Sequence, residues 1–394
     1  MKKFIFLMLL GAFASATAQQ KIPYSHRTHK GTTSRRTEII LPQVNGYNCY
    51  KADFHVHTSY SDGQVSPAGR VYEAWHNGLD ILAITDHYEG RRGERNFLKV
   101  IAPYSPDGKP MKYQPANTAK CIKADFNAIH QEAVKYNERK GYNLLLVKGC
   151  EMARKGMGHF NALFVKDLNA IYHEDLTEAF RKVKEQGGIV IHNHPGNTSK
   201  YETEFHSNIR KEGLLQGYEV SNGYTYYPQI QSRCVNEKLT MFGNTDTHSS
   251  TAYQYLESGN FRTMTIVLAK ECTEEAIKEA LLARRTIVYS GGDLIGEEEW
   301  LKAFLNAAVD CRLVKVDNDP KKGKRTFVFT NNCSIPIYLR RGKTIYELEP
   351  FKPVVMGFGR DAKTGKFIAP AVVVNNMWVA DYKHPKFELE IDKK

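Results

Sequence analysis

Cysteine is too sparse in this 394-residue chain to hold it together. The seven cysteines stand at 49, 121, 150, 234, 272, 311 and 333, with no C-x-x-C and no two closer than 22 residues. That scatter excludes a dense disulfide framework and a thiolate-rich structural zinc. An odd count leaves one thiol without an intrachain partner, and Cys311 with Cys333 is the bridge to expect in the C-terminal region. Long apolar runs are equally scarce. Beyond the first residues none approaches the roughly 18 needed to cross a bilayer, so no membrane span is predicted. Internal repeats and low-complexity tracts are missing too. So is any finger, recognition-helix or arginine-tract pattern, and no specific nucleic-acid partner is expected.

What is present begins with an address. Met1, Lys2 and Lys3 are followed by an apolar run, Phe4 to Phe13, and by small residues at Ala16 and Ala18. This is the layout of a signal peptide over residues 1–18, cut before Gln19, and it predicts an exported, periplasmic or secreted protein. The full chain carries a formal charge of +12. The basic balance that remains after the leader is removed favours anionic partners generally, a small phosphorylated substrate at least as well as nucleic acid.

Residues 19–46 read as a polar, basic arm. From Cys49 to Tyr289 short strands alternate with longer helices. Ser66-Pro67 opens the first helix, with proline where its missing N–H costs nothing. Leu79 to Thr85 is apolar throughout, as a strand buried on both faces of a parallel sheet would be. Strands are predicted at Asn143–Lys148, His159–Val165, Ile189–Ile191, Tyr218–Val220, Leu239–Phe242, Phe261–Leu268 and Thr286–Tyr289. Glu89 to Pro115 has no periodicity and is expected to be a lid or rim loop. Seven or eight strand–helix units point to an α/β fold of TIM-like barrel type over 47–296. After Gly291-Gly292 a helix and short β-branched runs predict a small antiparallel β domain over 297–394.

Chemistry collects at the predicted strand ends. D-F-H-V-H places Asp53, His55 and His57 two residues apart, hence on one face of a strand. Asp62 follows in S-D-G, T-D-H supplies Asp86 and His87, and Glu151 ends the third strand. His159 opens the fourth, H-N-H-P-G gives His192 and His194, and N-T-D-T-H gives Asp246 and His248. Six of the 14 histidines are thereby candidate ligands. His26, His29, His76, His130, His173, His206 and His384 are assigned to surface, arm or helix faces. Imidazoles with carboxylates and no cysteine cluster suit Zn, Mn or Fe. The ligand set His55, His57, Asp62, His87, Glu151, His159, His194, Asp246 and His248 is enough for two or three divalent ions, with Glu151 the natural bridge.

The ordered motifs D-F-H-V-H-T, S-D-G, A-I-T-D-H, G-C-E, G-H-F, I-H-N-H-P-G and N-T-D-T-H resemble the PHP (polymerase and histidinol phosphatase) superfamily from about Tyr47 to Gly292. That resemblance implies a distorted (β/α)7 barrel holding two or three divalent ions, and hydrolysis of phosphate esters. It further implies His55, His57, Glu151 and Asp246 around a first ion, Glu151, His159 and His194 around a second, and Asp62, His87 and His248 around a third. Some relatives carry histidine where this chain has Asp62.

The expected chemistry is attack of metal-activated hydroxide on a phosphomonoester or phosphodiester. Arg154, with Arg91 or Arg92 of the long loop, is a candidate phosphate clamp, because a guanidinium fork matches two phosphate oxygens. Asn193 and Asn222 are candidate hydrogen-bond donors. His192 is a candidate to orient a ligand or relay a proton. Cys150, adjoining Glu151, is expected to face packing. Hydrolysis of an amide or lactone by the same hydroxide is the alternative. A non-catalytic surface or glycan-binding protein would predict missing ligands.

Overall fold

The computed structural model describes residues 35–88, 125–196, 202–255 and 259–392. The predicted leader, most of the arm and the whole of the expected lid, with Arg91 and Arg92, lie outside the described residues. The first strands are β1 (Asn48–Val56), β2 (Ile81–Ile84), β3 (Leu145–Arg154), β4 (Gly158–Leu163), β5 (Ile189–Asn193) and β6 (Gly217–Asn222). They are followed by β7 (Thr225–Tyr226), β8 (Thr240–Asn244), β9 (Met264–Ala269), β10 (Thr286–Ser290) and β11 (Asp293–Gly296). Helices between them include α1 (Pro67–His76), α2 (Ala128–Lys140), α3 (Leu176–Glu185) and α4 (Glu204–Lys211).

Local chemistry sets these elements. Ser66 Oγ accepts from Gly69 N at 3.1 Å and Pro67 is the first helical residue, so α1 starts where its backbone donors find a side chain. Asp175 caps α3 in the same way through Thr177 N. Gly141, at φ +65°, ends α2 in the left-handed conformation that glycine adopts without penalty. Strand β2 is buried along its whole length because it pairs in parallel with β1 on one side and β3 on the other.

The sheet curls on itself. β1 to β6 follow one another, β8 pairs with β6, and just past β8 Thr247 bridges back to Val56 at the end of β1. The first half of β1 pairs instead with β9, from which β10 and β11 continue outward in antiparallel order. Strand β4 is antiparallel to both β3 and β5. This reversal, and the splitting of β1 between two partners, distort the barrel that strand–helix alternation predicts. Inside it, Phe54 and Phe242 meet edge to face with centroids 5.7 Å apart.

The C-terminal strands are β12 (Val309–Val316), β13 (Arg325–Asn331), β14 (Ile337–Arg341), β15 (Thr344–Leu348), β16 (Pro353–Phe358), β17 (Ala371–Val374), β18 (Met377–Trp378) and β19 (Lys386–Glu388). Seven of them form two small antiparallel sheets, β12-β13-β16 and β15-β14-β17-β19. The remaining one, β18, leaves its neighbours and extends the barrel sheet by pairing in parallel with β11. One apolar core runs from Val56, Leu82 and Leu268 through Leu301 and Phe304 to Phe327, Phe329 and Phe358. The end of the arm docks as well: Arg36 donates to Asp80 Oδ1 at 2.7 Å and Ile40 N to Ser334 Oγ at 2.9 Å.

Cys311 and Cys333 are both free thiols, contrary to the bridge expected from sequence. Each is buried in the core on a different run of backbone, and the Cys333 thiol donates to Ile335 O at 3.4 Å.

Candidate metal centre

Strand ends bring the ligand-type side chains together, but two departures from regular geometry decide which ones. The first is in β1. Its register against β2 shifts between Asp53 and Val56, a bulge that breaks the two-residue alternation. Asp53 is accordingly parted from the histidines with which sequence spacing grouped it. Its carboxylate accepts from Thr245 N at 3.2 Å and Thr245 Oγ1 at 2.5 Å, and pairs with the buried Arg262. His55 and His57 remain together, with Nε2 atoms 3.1 Å apart.

The second departure is left-handed backbone at two candidate ligands, His194 (φ +26°) and Asp246 (φ +51°). Residues other than glycine adopt such angles rarely, and they persist where surrounding bonds enforce them. His194 N donates to Glu219 Oε2 at 2.7 Å and Asp246 N to His55 O at 2.8 Å, which supplies that enforcement. β5 ends at Asn193, so the turn at His194 parts it from His192. His192 packs instead against Phe160, His206 and Tyr218, at 4.5, 4.9 and 5.3 Å between ring centroids. Neither of its ring nitrogens has a hydrogen-bond partner, and burial lowers its pKa well below the ordinary histidine value. The relay or orienting role expected for His192 finds no contact here. His206, one of the histidines assigned to surface, arm or helix faces, lies on α4 and is fully buried in the same stack.

The nine remaining residues form contiguous groups. One is His55, His57 and Asp246; a second is His55, Glu151 and His194; a third is His87, Glu151 and His159; a fourth is His57, Asp62, His87 and His248. Glu151 sits at the centre, its Oε1 within 3.4 Å of His55, 3.3 Å of His194 and 3.2 Å of His159, its Oε2 2.8 Å from His87 Nδ1. His159 and His194, the pair expected with Glu151 around a second ion, both face its Oε1, with ring centroids 5.0 Å apart, and the His87 ring lies 5.5 Å from that of His159. His57 reaches two groups, Nε2 lying 3.0 Å from Asp246 Oδ1 and Nδ1 3.5 Å from Asp62 Oδ1. A neutral imidazole has one lone pair on nitrogen, so His57 can serve only one of them as a ligand.

Divalent cations fit this arrangement. Glu151 and Glu219, both buried, and the mostly buried Asp246 concentrate negative charge where water is largely excluded, which is costly without a compensating cation, and Asp62 adds an exposed carboxylate at the edge. Asp246 Oδ1 is buried and makes no hydrogen bond, although His55 and His57 Nε2 face it at 3.2 and 3.0 Å. These atoms point at a shared space rather than at each other. Protons show the same field. Burial alone would lower the His55 pKa, but Asp246, Glu219 and Glu151 outweigh it and raise it well above the ordinary value. For His87 burial is likewise overcome by hydrogen bonds with Asp62 and Glu151, which push it up to about 10. Burial would raise Glu151, yet His55, His159 and His194 hold it well below the carboxylate range.

The ligands rest on supporting residues, of which Glu219 carried no sequence motif. Glu219, a lone acid within Tyr218–Val220, accepts from His55 Nδ1 at 2.8 Å, Asn222 Nδ2 at 2.8 Å and Asn244 Nδ2 at 2.9 Å. The only signal for it was one charge in an otherwise apolar strand. Asn193 donates to Glu151 Oε1 and to Asn161 Oδ1, both at 2.8 Å. Asp86 accepts from Thr58 N at 2.6 Å and Ser61 Oγ at 2.5 Å and so holds the turn that carries Asp62. Arg154, expected to clamp phosphate, donates to the carbonyls of Ala153, His173 and Glu174 at 2.9, 2.6 and 3.2 Å. Its fork ties a loop to β3. Cys150 is buried in apolar packing, as its place beside Glu151 predicted.

No family model matches the chain, and no curated protein does. Among solved structures, one match is a two-domain protein containing a predicted PHP-like metal-dependent phosphoesterase from Bacteroides vulgatus ATCC 8482. It shares 31% identity and covers 90% of this chain and 98% of its own, with a TM-score of 0.75. An amidohydrolase from Chromobacterium violaceum, bound to sulfate and without metal, matches at 14% identity over 51% of this chain and 88% of its own, with a TM-score of 0.36. The first likeness takes in the C-terminal sheets as well as the distorted barrel, and on that extent of shared sequence and fold the chain belongs to the PHP-like metal-dependent phosphoesterases.

Proposed function

We propose that this protein hydrolyses phosphoester bonds with two or three divalent ions, Zn, Mn or Fe, held by His55, His57, Asp62, His87, Glu151, His159, His194, Asp246 and His248. The observation that carries this reading is the unbonded Asp246 Oδ1 facing two imidazole nitrogens, with Glu151 shared between neighbouring groups. When bound, such ions acidify a water and offset charge growing on the phosphoryl oxygens.

The chain's own part is to aim and to hold protons. Glu219 takes the Nδ1 hydrogen of His55, which leaves the Nε2 lone pair turned into the site. Asp246 O lies 2.8 Å from His248 Nδ1 and fixes the same tautomer there. Asp246 keeps Oδ1 inward, while Oδ2, with a long 3.4 Å bond from Asn222 and His194 Nε2 3.7 Å away, is placed to take the attacking water's proton. His159 and His248 are the more exposed imidazoles and stand where a leaving oxygen would emerge. Glu151 acts as a bridging ligand in this scheme, and Arg154 shapes the rim rather than gripping phosphate.

The test is a panel of phosphomonoesters, phosphodiesters, amides and lactones assayed with Mn or Zn, with His57→Ala and Glu151→Ala as controls. Phosphoester cleavage lost in both variants is the expected result. Cleavage confined to amides or lactones would replace it with the alternative chemistry. We further propose that residues 1–18 are a leader removed on export, supported by the basic start, the Phe4–Phe13 run and Ala16-Thr17-Ala18. A mature protein from its native cells that begins at Met1 and stays in the cytoplasm would refute that.

A further inference from the structure

The sheet β12-β13-β16 ends on one side in two segments that carry no part of the metal centre. Val316, the last residue of β12, pairs with Arg325, the first of β13, and Arg325 pairs on its other side with Phe358, the last of β16. Residues 317–324 and 359–370 therefore leave the sheet at the same end. They are fastened together there: Arg360 Nε donates to Asp319 O at 3.1 Å and its Nη1 to Gly365 O at 2.8 Å.

This end is strongly basic. Residues 314–325 and 359–368 hold eight lysines and arginines against three aspartates. The aspartates serve their own turns. Asp317 Oδ1 accepts from Asp319 N at 3.0 Å, Asp319 Oδ1 from Lys321 N and Lys322 N at 2.8 and 2.6 Å, and Asp361 Oδ1 from Lys363 N and Thr364 N at 3.1 and 2.8 Å. Asp392, alongside β12, likewise accepts from Leu313 N at 3.3 Å. Even with all four acids counted, positive charges outnumber negative two to one. The six lysines are exposed and, among the described residues, form no ion pair; those of the C-terminal sheets join Lys352 to Glu349 and Lys383 to Asp381.

Apolar side chains stand among these charges. Val314, Val316 and Ile368 are 47%, 43% and 40% exposed. The one aromatic ring in the two segments, Phe367, has the guanidinium groups of Arg360 and Arg325 at 3.8 and 4.6 Å from its centre. A ring so occupied is badly placed to stack on a base or a sugar, the contact that lets single-stranded nucleic acids and glycans add to charge. Lysines interleaved with exposed aliphatic groups match a lipid surface instead. There the ammonium groups meet anionic headgroups and the aliphatic groups enter the boundary beneath them.

We propose that this end of the C-terminal sheet rests on an anionic lipid bilayer and holds the protein at its surface. No helix of the described residues is long and apolar enough to cross a membrane, so the contact is peripheral. It uses no metal ligand and stands independently of the phosphoesterase reading.

The test is sedimentation of the chain from Gln19 onward, free of the apolar leader, with vesicles of phosphatidylcholine alone or with about a third phosphatidylglycerol. In about 0.1 M salt, binding to the anionic vesicles is expected to be about tenfold tighter or more, and to be lost in about 0.5 M, where the charges are screened. Lys321→Glu with Lys322→Glu, and separately Lys363→Glu with Lys366→Glu, reverse exposed charges outside the packed core. Each pair should weaken that binding about tenfold or more, with thermal melts unchanged to show that the fold is kept. Equal binding to both kinds of vesicle, binding to neither, or unchanged binding in both charge-reversed forms overturns the proposal. So does capture by dextran sulfate without binding to vesicles, which would assign the patch to a soluble polyanion.

Discussion

Glu219 Oε1 lies 2.8 Å from His55 Nδ1, and its other oxygen, Oε2, accepts the backbone N–H of His194 at 2.7 Å. One buried carboxylate thus fixes the tautomer of one ligand and the left-handed turn that aims another. Glu219→Gln turns one end of that group into a donor facing either His55 or His194 N–H. Metal affinity is expected to fall about 10–100-fold with the fold intact. Competition against a chromogenic chelator reads this directly, and unchanged affinity would remove Glu219 from the centre's support.

Arg70 is fully buried on α1 and donates to the carbonyls of His57, Thr247 and Ser249 at 2.8, 3.0 and 2.8 Å, with Glu73 as its ion pair at 2.7 Å. It sews the end of β1 to the segment that carries Asp246 and His248. Arg70→Met takes the guanidinium from all three carbonyls and from Glu73, although Thr247 O keeps His57 N, Ser249 O keeps Thr247 Oγ1 and Glu73 keeps Thr251 N, and is expected to cost about 3 kcal/mol. Urea unfolding of the metal-free protein measures it; a loss under about 1 kcal/mol would contradict the network.

The metal-free centre should titrate visibly. His87, raised to about 10 in the folded protein, returns to the ordinary histidine value near 6.5 on unfolding. The folded state therefore binds more protons between those values. Its contribution to stability is complete below about pH 6.5 and is lost as pH rises through about 10. Metal binding must displace the same proton, so apparent affinity rises across that window. Thermal melts of the chelated protein from pH 6 to 10 should show Tm falling, with a flatter profile in His87→Gln. An identical profile in that variant would dismiss His87 as the source.

His192 has two unbonded ring nitrogens in an aromatic stack, so His192→Phe removes buried polar atoms without emptying space. Activity within about twofold of wild type and equal or higher stability are expected, since replacing an unpaired buried polar group is near neutral. A hundredfold loss of kcat would restore a catalytic part for this residue.

Arg154→Ala should likewise change kcat little, because its donors already serve the carbonyls of residues 153, 173 and 174. A steep rise in KM for every phosphoester tested would show that the guanidinium leaves the loop to bind substrate.

Much of the site was legible because ligand chemistry confines residue choice. His87, His194 and Asp246 lie just beyond the ends of apolar strands, which announce themselves by composition, whereas Glu151, expected to end its strand, lies inside β3, which runs on to Arg154 in pairing with β4. What misled was local geometry. The spacing of Asp53 and His55 implied a shared face, but the β1 bulge intervenes. The spacing of His192 and His194 implied the same, but the strand stops between them. Alternation is a property of regular backbone, and both irregularities are held by partners on other elements, Arg262 and Thr245 for Asp53 and, 25 residues on, Glu219 for His194.

Composition, spacing and strand-end motifs were sufficient by themselves to determine the strand–helix order, the β-rich tail and the set of side chains able to bind cations. Only the tertiary structure decided that Glu219 and Arg70 brace the centre, that His192 and Arg154 are occupied elsewhere, that His57 is shared between two groups, and that the tail lends β18 to the barrel sheet. The physical reason is separation. A ligand's chemistry is written in its own residue, but its aim depends on hydrogen bonds from other elements, 164 positions away for His55 and 25 for His194, and no local pattern records those.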